Sequence, residues 1–182
     1  MKTVSTFISK KINSGIGMVF LSLGIMFLIL ACGSTKSSGR EDLQNYEQLG
    51  ELVNSREFEI ENDWAVPLRL STRNLIGNPN FIRFKKDSVE VFLPYFGVRH
   101  SGGGYGDNGG IKYEGLIHKL NIEEDKTKNN ILIKFEGRQG SENLQFIITL
   151  FSKGNTSTSV NSSERDPISY WGNVRALPER KI

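Results

Sequence analysis

Cysteine occurs once in the 182-residue chain, at Cys32. That excludes a disulfide within the chain and a cysteine-rich zinc site. Histidine is almost as scarce. His100 and His118 show neither H-x-H nor H-x-x-x-H spacing, so no metal site is expected. The nucleophile signatures G-x-S-x-G and S-x-x-K in a helical setting are missing beyond the N-terminal segment, and no catalytic residue is assigned. A surplus of one charge sign is missing too. The chain has 23 basic and 20 acidic residues, a net charge of +3. Lys2, Lys10 and Lys11 account for that surplus, because residues 1–31 hold no acid. The remainder is neutral and has no basic stripe, which argues against a nucleic-acid partner.

What is present begins with a targeting pattern. Lys10 and Lys11 precede an apolar run from Ile12 to Cys32, with no charged residue before Lys36. A basic start, an apolar stretch and a small residue at the exit form a signal peptide. The exit reads Leu28-Ile29-Leu30-Ala31-Cys32 and resembles a bacterial lipobox, in which the cysteine takes diacylglycerol and becomes the mature N-terminus. Leu30 departs from the small residue usual at its position. The alternative is an uncleaved transmembrane anchor, since about 20 apolar residues span a bilayer. On the lipoprotein reading, residues 1–31 are the signal peptide and Cys32 is the lipid attachment site. Residues 32–40 are then a small, polar tether. The partner so implied is the membrane, reached through the N-terminal lipid. By resemblance to lipoprotein sorting, Gly33 favours the outer membrane. The lack of an acidic cluster after it favours the periplasmic side.

Residues 41–54 are expected to be helical, because Leu43, Tyr46, Leu49 and Leu52/Val53 recur at helical spacing. The period then changes to two. Phe58 and Ile60 alternate with Glu57, Glu59 and Glu61, which are expected to form a solvated face. Trp64, Val66, Leu68 and Leu70 continue the alternation, with Pro67 suggesting an edge or a bulge. Further strands are expected over 82–85, 88–93, 111–123, 131–135, 144–153, 156–160 and 168–174. Polar turns join them and no helices intervene. The expected fold is mainly β: a single antiparallel β-barrel or sandwich of about eight strands with one N-terminal helix. The β domain covers 41–176 and a C-terminal tail covers 177–182. Strand 156–160 (Thr-Ser-Thr-Ser-Val) is a candidate exposed edge for pairing with a partner chain.

Three stretches carry a resemblance. Phe58-Glu59-Ile60-Glu61-Asn62-Asp63-Trp64-Ala65 leads to Pro67. Leu93-Pro94-Tyr95-Phe96-Gly97 opens a glycine-rich loop. Arg165-Asp166-Pro167-Ile168-Ser169-Tyr170-Trp171-Gly172-Asn173-Val174 closes the domain. In this order, behind a lipobox, they resemble an uncharacterised lipoprotein family of Bacteroidetes, the domain-of-unknown-function family numbered 4251. The resemblance covers roughly residues 45–175. It implies an envelope location and a mostly β fold, and it brings no catalytic residue and no cofactor.

The loop 97–110 holds seven glycines in fourteen residues. Gly104-Tyr105-Gly106-Asp107-Asn108-Gly109 spells G-x-G-x-x-G. A dinucleotide site needs a helix next, and Ile111-Lys112-Tyr113-Glu114 reads as strand. Asp107-Asn108-Gly109 lacks the spaced acids of a calcium loop and reads as a turn. Tyr95, Arg99, His100, Tyr105 and Asp107 are the candidate ligand-binding residues, with Tyr105 stacking and Arg99 pairing charge. Asp87-Ser88-Val89 resembles a short O-glycosylation acceptor of Bacteroidetes, with Ser88 as its site. The function expected is a non-catalytic binding or structural module for a small ligand or an envelope protein. The alternative is an envelope hydrolase that uses the 97–110 loop, with His100 and Asp107 or a tyrosine.

Overall fold

The computed structural model describes residues 38–101 and 109–177. The expected signal peptide 1–31, Cys32, Tyr105, Asp107 and residues 178–182 lie outside the described residues. Helix α1 spans Ser38–Ser55 and thus takes in the last residues of the expected tether. Ten strands follow: β1 Glu57–Pro67, β2 Arg73–Asn74, β3 Phe81–Lys85, β4 Ser88–Leu93, β5 Ile111–Leu116, β6 His118–Asp125, β7 Asn130–Gln139, β8 Glu142–Phe151, β9 Asn155–Ser162 and β10 Ile168–Ala176.

All the pairings are antiparallel, in the order β5-β4-β3-β1-β10-β9-β8-β7-β6, with β2 added beside β1. The two ends of this order are neighbours in sequence, joined by Ile117 alone. Residues 111–125 therefore act as one bent strand, paired to β4 in its first half and to β7 in its second. The sheet becomes a nearly closed barrel. At the seam the Tyr113 ring lies on Gly137, where a Cβ would sit 2.9 Å from the ring. Gly137 is needed for this close approach.

Alternation explains the filling of the barrel. Ile131, Ile133 and Phe135 of β7 face inward with Leu144, Phe146, Ile148 and Leu150 of β8. Phe58 stacks on Phe84 at 4.4 Å, Phe84 meets Phe135 edge-on at 5.5 Å, and Phe135 stacks on Phe146 at 4.5 Å. This chain of rings joins β3 to β7 and makes the interior a packed core. Helix α1 buries Tyr46, Leu49 and Val53. It shares grooves with the 126–129 and 152–154 turns, and so covers the barrel end where β1 starts. The links 68–80, 94–101, 140–141 and 163–167 gather at the opposite end, with Gly109 and Gly110.

Three expectations fail on this frame. The alternation through Trp64, Val66, Leu68 and Leu70 breaks because the register shifts between Asn62 and Trp64. The extra residue, Asp63, moves the inward set from Phe58, Ile60 and Asn62 to Ala65 and Pro67. Trp64, Leu68 and Leu70 are exposed as a result. Glu59 is not part of a solvated face. It is 1% exposed, between Arg83 of β3 and Arg175 of β10, whose Nη2 lies 2.6 Å away. Segment 156–160 is no edge, since β9 pairs with both β10 and β8.

The bulge also explains two polar residues. Asn80 takes the place of a ladder strand beyond the start of β3. Its Oδ1 accepts from the Asn62 amide at 2.9 Å, and its Nδ2 donates to the Asn62 carbonyl at 2.8 Å. Both side chains are buried, which such pairing permits.

Candidate functional site

The end opposite α1 carries the polar cluster. Pro94-Tyr95-Phe96-Gly97 leaves β4, and residues 98–100 run antiparallel to 164–166. The His100 amide donates to the Glu164 carbonyl at 2.7 Å, and the Asp166 amide donates to the Val98 carbonyl at 3.0 Å. The Tyr95 hydroxyl lies 3.1 Å from the Asp166 carbonyl oxygen and 2.9 Å from that of Val98. Tyr170, buried in the core, donates to the Pro94 carbonyl at 2.9 Å. The loop thus leaves the barrel with its backbone already fixed.

Arg165 is the centre of the arrangement. It is 5% exposed and grips Glu142 with two bonds, Nε to Oε1 at 2.8 Å and Nη2 to Oε2 at 3.1 Å. Its Nη1 donates to the carbonyls of Gly109 and Gly110, at 2.9 and 3.1 Å. Its guanidinium carbon lies 5.2 Å from the centre of the Tyr95 ring. One side chain therefore holds the far end of the glycine-rich loop, while the backbone bridge at 98–100 holds the near end. Arginine suits this task because its fixed fork serves a carboxylate and two carbonyls together.

The other candidates surround this core. Arg99 Nη2 donates to Glu164 Oε2 at 3.0 Å and lies 3.6 Å from Glu142. Ser141 donates to the other oxygen of Glu164 at 2.6 Å, and Ser162 donates to Glu142 Oε1 at 2.5 Å. His100 Nε2 lies 2.8 Å from Asp166 Oδ1, and Arg69 Nε is 3.8 Å from Oδ2. Tyr95, Arg99 and His100 are therefore brought together. Glu142, Glu164 and Asp166 are the partners that the sequence alone did not reveal. Ser88 opens β4 beside the exposed Asp87, and its hydroxyl donates to the Lys85 carbonyl at 3.0 Å.

The electrostatics follow from these contacts. Hydrogen bonds from Ser141 and Arg99, with the charges of Arg99 and Arg165, hold the Glu164 carboxyl below the usual range against its desolvation. Burial pushes the Tyr95 hydroxyl up, helped by the Asp166 charge. Burial opposes ionisation of Glu59, but the bonds and charges of Arg175 and Arg83 outweigh it and hold that carboxyl low as well. A depressed carboxyl stabilises the fold above its unfolded pKa, and this is lost as pH falls through its folded pKa. Acid should therefore destabilise the protein progressively below about pH 4.5. Glu59→Gln should be less stable at neutral pH and should lose less stability on acidification. Chemical denaturation from pH 7 to pH 2 measures this; parallel profiles for the two proteins would contradict it.

Comparison with known proteins comes from two sides. The family model described as "Domain of unknown function (DUF4251)" matches residues 40–174. Among solved structures, the chain is similar to the crystal structure, at 1.95 Å resolution, of a DUF4251 family protein from Bacteroides eggerthii DSM 20697. The identity is 20% and the TM-score 0.54, covering 74% of this chain and 87% of that one. This likeness speaks to the fold alone. No curated protein matches.

Proposed function

The chain belongs to the DUF4251 family of domains of unknown function, and on that premise we propose that it is a lipid-anchored cell-envelope protein whose barrel is a non-catalytic binding or structural module. One observation carries the non-catalytic reading. The charged residues of the open end are engaged with one another and with the loop backbone. Glu142 is paired with Arg165, Glu164 with Arg99, and Asp166 with His100. Such pairing builds a rigid loop base. The hydrolase alternative pairs His100 with Asp107 or a tyrosine. Asp107 lies outside the described residues, and the ring contact of His100 is with Asp166, at 2.8 Å. The motif residues Tyr95, Arg165, Asp166 and Tyr170 serve the same structural end.

The anchor reading rests on Lys10, Lys11, the apolar run and Cys32. The outer membrane, periplasmic side, is the location that the residues after Cys32 support. Several acyl chains at Cys32 would hold the domain at the membrane without help from the protein surface, at roughly 0.8 kcal/mol per buried CH₂. Cys32→Ala should abolish incorporation of labelled fatty acid and release the protein from the membrane fraction. Unchanged labelling would overturn the anchor.

A further inference from the structure

Beside the clamp, the outer wall of the barrel carries a groove of about 770 Å³ across β6, β7, β8 and β9. The strand register sets a row of side chains along it. His118 lies opposite Glu136, Glu136 opposite Gln145, and Gln145 opposite Asn161. At 4.7–4.9 Å per strand the row is about 14 Å long. Arg138 and Asn143, opposite each other, begin a second row towards the open end. The next row towards α1 sets Asn121, Lys134, Ile147 and Ser159 in register, and its one amide is already engaged, with Asn121 Nδ2 donating to Glu123 Oε1 at 2.6 Å.

The chemistry of the row is that of uncommitted carboxamides. Asn161 Nδ2 donates to Gln145 Oε1 at 3.2 Å. This leaves Gln145 Nε2 as a donor and Asn161 Oδ1 as an acceptor, and the Asn143 amide offers both. Glu136 is neutralised by Lys119, whose Nζ lies 2.9 Å from Oε2. Lys119 sits at φ +50°, at the β6 register shift between His118 and Asn121. A bulge with a left-handed lysine is the kind of device that re-aims side chains at a site. Among the described lining residues, Arg138 is the only lysine or arginine without a carboxylate partner, and its Nε donates to the Gly140 carbonyl at 3.1 Å. An anion would want converging cations, and an apolar ligand would leave the amides unpaired. A hydroxyl both donates and accepts, as a carboxamide does.

We propose that this groove binds a neutral polyhydroxylated ligand, an oligosaccharide laid across the four strands with its hydroxyls on Gln145, Asn161 and Asn143. This rests on the binding-module reading but not on the lipid anchor or the clamp, so its failure is told apart from theirs. The lining holds no phenylalanine, tyrosine or tryptophan, so the binding is by hydrogen bonds and about millimolar in strength. The test uses the full chain in a zwitterionic detergent free of sugar headgroups. Maltotriose, cellotriose and chitotriose, with sulfate as an anionic control, are titrated while the side-chain amide resonances of Asn143, Gln145 and Asn161 are followed. The expected result is a saturable shift of these resonances with at least one trisaccharide. Gln145→Ala and Asn161→Ala should then weaken binding about tenfold without lowering the melting temperature, because both positions lie on the outer wall. No saturable shift with any trisaccharide, a response to sulfate alone, or binding unchanged in both variants would overturn the proposal.

Discussion

Arg165→Met is expected to cost about 3–5 kcal/mol, because it leaves the buried Glu142 carboxylate without its charge partner. For a domain of this size that is a drop of roughly 10–20 °C in melting temperature. The side chain is 3% exposed and its partner 4%, so water does not replace the lost bonds. Ser162 and Arg99 still approach Glu142, but Arg99 is already committed to Glu164. The same change releases the Gly109 and Gly110 carbonyls. Pairing Arg165→Met with Glu142→Leu should recover most of the loss, since an apolar pair of similar volume is often as stable as a buried ion pair. Thermal melts of the single and double variants measure it. A single variant within about 1 kcal/mol of wild type would remove Arg165 from the centre of the account.

The second large effect is at Gly172. A Cβ there would lie 2.0 Å from the Glu61 carbonyl oxygen and 2.5 Å from the Asn62 Cα. These are backbone atoms of the paired strand, so no side-chain rotation relieves the clash. The crowding arises because Gly172 faces Asn62 at the β1 bulge. Gly172→Ala is therefore expected to cost about 3 kcal/mol or more, at the upper end of overpacking. The control is Gly50→Ala in α1, where an added Cβ meets nothing within 4 Å and helix propensity improves. Urea denaturation separates the two. Comparable stability of both variants would mean that β1 and β10 do not approach this closely.

The part of the fold that follows from period was legible in the sequence. Phe58 and Ile60, Val89 and Val91, and Phe146, Ile148 and Leu150 recur at every second position and do face inward. Tyr46, Leu49 and Val53 gave the helix its buried stripe. What depends on register was not legible. Asp63 is an ordinary polar residue in a polar stretch, and nothing local marks it as the inserted one. Glu59 looks solvated until the pairing brings Arg83 and Arg175 to it from strands about 24 and 116 positions away. The joining of both sheet ends through Ile117 made a barrel from what read as one strand over 111–123.

The candidate site divides in the same way. The loop chemistry singled out Tyr95, Arg99 and His100, and the structure gathers them. Glu142 and Glu164 stood in separate turns with no spacing to link them to the loop. Arg165 and Asp166 were visible as part of a motif, but its work became readable only once their partners were placed. The motif then reads as architecture. Tyr95, Arg165 and Tyr170 fix the loop base, and Gly172 lets the bulged strand pass.

The central claim is that the open end is a built clamp on the glycine-rich loop. Amide hydrogen exchange at His100 and Asp166 tests it most directly, because their N–H groups form the backbone bridge. In the wild-type protein both amides should exchange slowly, as should those of the buried Ile131 and Ile133 in the core. In Arg165→Met they should exchange much faster relative to those two core amides. Rapid exchange of His100 and Asp166 in the wild-type protein, at the rate of an unprotected loop, would contradict the account.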